Sequence, residues 1–536
     1  MALPRRWPVA PRGRQVAERR VAAAVALALA VGAALAAQPP LRRVGALTQG
    51  IARAGQAPAI SCDSLALQAL PQARVTRAQV VKAGTDGVPA HCQITATLTP
   101  SSDSDIQMAL WLPLSGWNGK FMMVGNGGWS GALPTAAMAD PLRRGYAVAG
   151  TDTGHQGGRG SFAFGHPEKL IDFSHRAVHE TVVKGKALTA AFYGAQPRYA
   201  YWSGCSSGGK QGLKAVQRYP EDFDGVIVGA PANDWVRQQA RWATTLVANL
   251  PKDQPPVLGA PQFALLHKAV LAQCDARDGL KDGEIQDPRA CDFKAASLAC
   301  KAGDDPAACL TPAQVAVAER IQSPLRDPRN GALIAPGLAP GSEGGWGSSV
   351  SRPSDVALDT FAVALNNPQW DAQTLDVVRD VAAARRGAPD LDALDTDLSA
   401  FKARGGRILS YHGWADPGIP TEQTLNYYES VVARQGTLAQ TQSFYRLFLV
   451  PAMGHCSGAY SVDWIGALEQ WVEGARAPDV VLAQHLPQAG TRPMCVYPNI
   501  ARWQGGNGEQ PVDWVCSPGP RGARPAHAVS LPGPLR

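Results

Sequence analysis

Ser206, Asp416 and His455 are the residues whose types and order could make a hydroxyl nucleophilic. Ser206 lies in Gly204-Cys205-Ser206-Ser207-Gly208, a Gly-x-Ser-x-Gly segment in which glycines permit a turn too tight for a Cβ and expose the serine. Because the chain holds 55 glycines, the triplet carries weight only in context. A serine attacks a carbonyl when a base lies within hydrogen-bond reach and an acid orients that base. Asp416, in His412-Gly413-Trp414-Ala415-Asp416, and His455, in Pro451-Ala452-Met453-Gly454-His455-Cys456, complete the order Ser, Asp, His. The chemistry is acyl transfer through a covalent intermediate, whose oxyanion needs two preorganised N–H donors. Ser207, directly after the serine, and Gly128, in the glycine-rich run 125–131, are the candidates. A flexible turn is the competing reading of that run, and the GxGxxG spacing of a dinucleotide site is absent. His91, His155, His166, His175, His179, His267 and His412 are expected to be structural, and the i, i+4 pair His175 and His179 lacks a third ligand for zinc.

Ten cysteines, an even number without any CxxC, suit disulfides in an exported chain. Eight have a near neighbour in sequence: Cys62 with Cys92, Cys274 with Cys291, Cys300 with Cys309, and Cys495 with Cys516. Connectivity is not fixed by spacing alone. Cys205 and Cys456 are left over, the first directly before Ser206 and the second directly after His455. A bridge between them would bring base and nucleophile together, because disulfide geometry holds Cα atoms within about 7 Å. It would also serve as a plain staple of a long loop. Between Cys274 and Ile285 stand Asp275, Asp278 and Asp282, at offsets 0, 3 and 7 with Gly279 and Gly283 between them. Such a loop can converge on a hard cation such as calcium, although two solvated Asp-Gly turns would give the same pattern.

These groups need elements to hold them. Alternating runs at 92–98 and 106–112 read as half-exposed strands. Apolar runs at 121–124 and 146–150 read as buried strands ending in the loops 125–128 and 151–155. Residues 199–203 and 213–219 flank the serine as strand and helix, and further strands are expected at 225–229, 407–411 and 445–450. Strands alternating with helices imply a mostly parallel sheet flanked by helices, with catalytic loops at the strand C-termini. Strand, sharp turn and helix around the serine specify an α/β-hydrolase core. From 232 to 400 the rhythm is lost and Pro, Gly, Ala and Asp dominate, as expected for an inserted lid. The expected division is a signal peptide at 1–36, the N-terminal part of the core at 37–231, the lid with its calcium loop at 232–400, and the C-terminal part of the core at 401–536.

The leader carries six arginines before an apolar run at 21–37, shorter than the roughly 20 residues that span a bilayer, with Ala34-Leu35-Ala36 as a cleavage-type pattern. An uncleaved anchor is the alternative, and Arg19-Arg20 a weak twin-arginine signal. An exported protein, periplasmic or secreted, without stable membrane association after cleavage is expected. Those arginines and Glu18 supply +5 of the formal +7, leaving the mature chain near +2 and without the footprint of a nucleic-acid binder.

With these motifs the chain resembles the tannase and feruloyl esterase family, which includes mono(2-hydroxyethyl) terephthalate hydrolase. The resemblance runs from about Cys62 to Cys516 and is carried by Cys205-Ser206, Asp416 and His455-Cys456. It implies a bridge between Cys205 and Cys456, the four local disulfides, and the oxyanion role of Gly128. It also implies calcium, with no organic cofactor, held by Asp275, Asp278 and Asp282 with main-chain oxygens of Leu280 and Glu284. It further implies hydrolysis of small esters of aromatic acids, feruloyl or galloyl in type, through an acyl-enzyme. Trp235, Trp242, Trp346 and Trp370 are candidates to wall the acyl pocket. A terephthalate monoester hydrolase ranks second, since only Arg352 lies near the position of that enzyme's lid arginine. An acyltransferase and a catalytically silent binding protein are the readings from other classes.

Overall fold

Runs of β-branched and aromatic residues form one nine-stranded sheet in the computed structural model, which describes residues 50–351, 354–486 and 489–521. The proposed signal at 1–36 and Arg352 lie outside the described residues. The strands are β1 (Ala73–Val81), β2 (His91–Leu98), β3 (Ile106–Pro113), β4 (Lys120–Val124), β5 (Ala147–Thr151), β6 (Tyr199–Cys205), β7 (Gly225–Gly229), β8 (Arg407–Gly413) and β9 (Tyr445–Val450). Their spatial order is β9-β8-β7-β6-β4-β5-β3-β2-β1. Pairing is parallel from β9 across to β5 and antiparallel beyond it. The parallel strands β5 and β7 are buried along their whole length, as strands covered on both faces must be. This is the α/β-hydrolase fold.

Adjacent residues of the strands feed opposite faces, because strand side chains alternate. Phe121, Trp202, Val226 and Ile408 join a core with the helix α1 (Ser207–Arg218), the helix α2 (Thr421–Gln435) and the helix Ala177–Tyr193. Met122, Tyr201, Ile227 and Leu409 join another with the helices Thr135–Arg143 and Trp464–Gly474. β1 was not expected from sequence. It is an edge strand with no buried residue, so burial imposed no apolar alternation on it.

The stretch 230–406 leaves the sheet between β7 and β8, which are direct neighbours with Gly225 opposite Arg407. Among its described residues are six α-helices, Trp235–Asn249, Ala260–Cys274, Pro312–Gln322, Asp355–Ala364, Val377–Gly387 and the short Ser399–Ala403, and a core of its own around Leu266, Phe263 and Trp346. Its two ends are tied together: Ala393 N donates to Asn233 O at 2.8 Å, and Val236 N to Asp392 Oδ1 at 3.1 Å. Among the described residues no helix is long and apolar enough to cross a membrane.

Candidate active site

β6 delivers Ser206 into a turn that only small neighbours allow. Ser206 itself has φ 62° and ψ −121°, outside the regions open to L-residues without strain, and α1 begins at the next residue. A Cβ on Gly204 would meet Gly208 O at 2.6 Å, and one on Gly208 would meet Asn126 O at 3.2 Å. The turn is held from both sides, with Ser206 N donating to Gly229 O and Ala232 N donating to Ser206 O, each at 3.0 Å.

The glycine-rich loop after β4 is built against the start of α1. Ser207 Oγ donates to Gly128 O at 3.0 Å, which brings the two candidate oxyanion residues side by side, and Gly128 adopts φ 49°. Asn126 N donates to Gln211 Oε1 at 3.0 Å, while Asn126 Nδ2 donates to Thr151 O and Ala132 O at 2.8 and 2.9 Å. His155 Nε2 contacts Trp129 O at 2.8 Å. The loop 151–155 therefore supports the glycine-rich loop.

Asp416 sits beyond β8 and is fully buried, with its Oδ2 2.7 Å from His455 Nδ1. Its Oδ1 accepts from the N–H groups of Gly418 and Ile419 at 2.8 and 2.9 Å. His412 Nε2 lies 3.2 Å from Oδ2. Burial works to raise this carboxyl, but the hydrogen bonds and charges of His412 and His455 outweigh it and hold it far below the usual range. Partial burial works to lower the His455 imidazole, yet the hydrogen bond and charge of Asp416 leave it raised above its ordinary value. Its side chain stays 35% exposed, so it can reach a substrate. The Asp416 and His455 loops are stitched together by Trp414 N to Val450 O at 2.8 Å and Ala415 N to Met453 O at 3.0 Å.

Cys205 and Cys456 are disulfide-bonded, with Cα atoms 5.9 Å apart, so the residues flanking them, Ser206 and His455, are held at one end of the sheet. Four further disulfides join Cys62 to Cys92, Cys274 to Cys291, Cys300 to Cys309, and Cys495 to Cys516. The Asp416–His455 pair can take up a proton and stabilise the resulting imidazolium.

Residues 92–517 match the tannase and feruloyl esterase family. An uncharacterised esterase of Xanthomonas campestris pv. campestris is 35% identical over 532 residues, covering 86% of this chain and 92% of that one. A probable feruloyl esterase B-1 of Aspergillus flavus is 35% identical over 455 residues, covering 79% and 86%. The crystal structure of feruloyl esterase B from Aspergillus oryzae aligns with a TM-score of 0.80 at 33% identity, over 85% of this chain and 99% of that one. The chain belongs to the tannase and feruloyl esterase family. It is a carboxylic ester hydrolase.

In this esterase the tryptophans of the insertion divide by burial. Trp235 and Trp346 are completely enclosed, the first against Trp129 and Phe173 and the second against Phe263, so both are packing residues rather than pocket walls. Trp370 stacks on Phe361. Trp242 lies beside Asp416, its indole N–H donating to Gly418 O at 2.8 Å. The other histidines have local partners: His175 meets Tyr219, His179 meets Asp222, His166 meets Asp103, and His267 meets Glu343.

The acidic loop of the esterase curls on itself. Asp275 accepts from Asp282 N and Gly283 N at 3.1 and 3.0 Å, and Asp278 Oδ1 accepts from Leu280 N at 3.0 Å. Asp278 Oδ2 is buried without a partner. Burial, with the charges of Asp282 and Asp275 nearby, pushes the Asp278 carboxyl up to about 6. Asp282 and Glu284 both pair with Arg492, and Glu284 also accepts from Tyr460 OH at 2.6 Å. Among the described residues no three acidic, histidine or cysteine side chains are gathered as a metal cage. The orphaned Asp278 oxygen among neighbouring carboxylates nevertheless fits a hard cation, whose charge would offset theirs.

The sequence reading missed His412, Asn126 and Gln211 as parts of the site. Only His412 carried a signal, as a histidine four residues before Asp416.

Proposed function

We propose that this protein is an exported serine esterase that hydrolyses esters of aromatic acids, feruloyl or galloyl in type, through an acyl-enzyme. The observation that carries the reading is the 2.7 Å contact of His455 Nδ1 with Asp416, with the imidazole held beside the Ser206 turn by the Cys205–Cys456 bridge. In this reading Ser206 Oγ attacks the ester carbonyl and His455 Nε2 takes its proton. The tetrahedral oxygen is received by the N–H groups of Gly128 and Ser207, and the alcohol leaves with the proton from His455. Water, deprotonated by the same imidazole, then releases the acid. Asp416 keeps the tautomer in which Nδ1 carries the hydrogen. Relatives named as feruloyl esterases support the aromatic acyl group. The half-buried Trp242 near Asp416 offers one apolar wall.

Calcium would be held by Asp275, Asp278 and Asp282 with main-chain oxygens of Leu280 and Glu284, where it would brace the loop and take no part in the chemistry. The stretch 232–400 would act as the lid. Five disulfides support an oxidising compartment, and the leader at 1–36 supports export.

The test is turnover of methyl ferulate, methyl gallate and mono(2-hydroxyethyl) terephthalate by the purified mature protein, with calcium and without reductant, alongside Ser206→Ala. Ser206-dependent cleavage of methyl ferulate or methyl gallate is expected. Exclusive cleavage of the terephthalate monoester would replace the acyl specificity, and turnover surviving in Ser206→Ala would remove the mechanism.

A further inference from the structure

Asp416 Oδ2 serves two imidazoles, and only one of them belongs to the triad. A carboxylate offers about four lone-pair sites. Gly418 and Ile419 fill two on Oδ1, while His455 and His412 fill two on Oδ2. The His412 Nε2 that lies 3.2 Å from Oδ2 is also 3.1 Å from the carbonyl oxygen of Ile419. Both neighbours are acceptors with no proton to give, so Nε2 carries the hydrogen and His412 is the donor. Its Nδ1 meets Thr424 Oγ1 of α2 at 2.7 Å, and a hydroxyl can satisfy that nitrogen in either role. The ring is wholly buried, so water does not compete for either nitrogen.

We propose that His412 is a positioning residue of the triad: braced by Thr424, it occupies the second lone pair of Asp416 Oδ2 and leaves the first aimed at His455 Nδ1. The proposal rests on the serine-esterase reading. His412 acts through Asp416 alone and does not touch the reacting atoms. Its hydrogen bond also draws charge from the oxygen on which His455 depends. The titratable groups acting on Asp416 are these two histidines, and Asp416 is the one acting on His455, among the described residues. Without the His412 donor, more of the carboxylate charge falls on His455 and its imidazolium forms more readily. The acid limb of kcat/KM then moves to higher pH. The sign is the same whether His412 is neutral or charged, since either form presents a proton to Oδ2.

The experiment measures kcat and the pH profile of kcat/KM with p-nitrophenyl acetate, which needs the triad but no aromatic-acid specificity. His412→Phe should lift the acid limb by roughly half a pH unit and lower kcat about tenfold. His412→Gln, whose amide nitrogen reaches the position of Nε2, should restore both toward the wild type. Thr424→Val should move the limb in the same direction by less. A folded His412→Phe with limb and kcat unchanged, or His412→Gln behaving as His412→Phe does, overturns the proposal while a silent Ser206→Ala leaves the esterase reading standing. If His412→Phe does not fold, Thr424→Val decides, and an unmoved limb overturns the proposal. An active Ser206→Ala defeats the serine mechanism itself, and with it the proposal.

Discussion

Asp416 and Asp278 are both aspartates withdrawn from water in loops, yet their carboxyls are displaced in opposite directions. Asp416 is held far below the usual range and Asp278 is pushed up to about 6. Burial works on both in the same sense, so the difference lies in the donors. Four N–H groups converge on Asp416, two of them from imidazoles. Asp278 receives one, from Leu280, its second oxygen has no partner, and the charges of Asp282 and Asp275 act on it. A buried charge supplied with donors is settled, and its task is to orient something else. A carboxylate withdrawn from water and short of donors is costly, and its carboxyl rises.

The same substitution at the two positions should break or confirm that contrast. Asp416→Asn should lower kcat by roughly 10³- to 10⁴-fold, as expected when a triad carboxylate no longer fixes the histidine tautomer. Asp278→Asn should leave kcat within a few-fold at saturating calcium, while the rise in Tm that calcium gives the wild type disappears. A mutant still stabilised by calcium as the wild type is would remove Asp278 from the cation site.

A second pair of variants sharpens the comparison through the disulfides. Replacing Cys205 and Cys456 by alanine opens a link of sequence separation 251 beside the triad. It should reduce stability by about 5 kcal/mol and activity by about 10²-fold through misplacement of His455. Replacing Cys300 and Cys309, separated by 9, should lower Tm by less and leave kcat near the wild type. Equal losses of activity from both pairs would show that the bridge at the triad does no more than hold the fold.

The smallest effect is in the pH profile. In the proposed mechanism His455 is unprotonated when it accepts the serine proton, and Asp416 raises its pKa, so kcat/KM should fall toward acid with a midpoint above about 6.5. A midpoint at or below that value would mean that Asp416 does not impose its charge on the base.

The sheet was legible wherever burial selected the residues. The apolar runs at 121–124 and 225–229 became strands, since strands covered on both faces must be apolar throughout, and the largely apolar run at 445–450 became the edge strand β9. β1 escaped because its side chains are at most half-buried. At the site, types and chain order nominated Ser206, Asp416 and His455, and the cysteines beside two of them pointed to the proximity that the Cys205–Cys456 bridge provides. His412 was expected only to be structural. Its meeting with Asp416 depends on a chain reversal after Gly413, where a Cβ would strike Met453 O at 2.1 Å, and no periodicity encodes that turn. The four tryptophans could not be sorted for a similar reason: Trp235 and Trp242 lie on one helix, and pattern alone does not say which turn of it faces Asp416.

The two roots of the insertion lie next to each other, with Ala393 bonded to Asn233 and β7 paired with β8. The stretch between them is therefore a closed excursion that returns to its starting point. Because it starts and ends at paired strands, its length is not set by any distance it has to span.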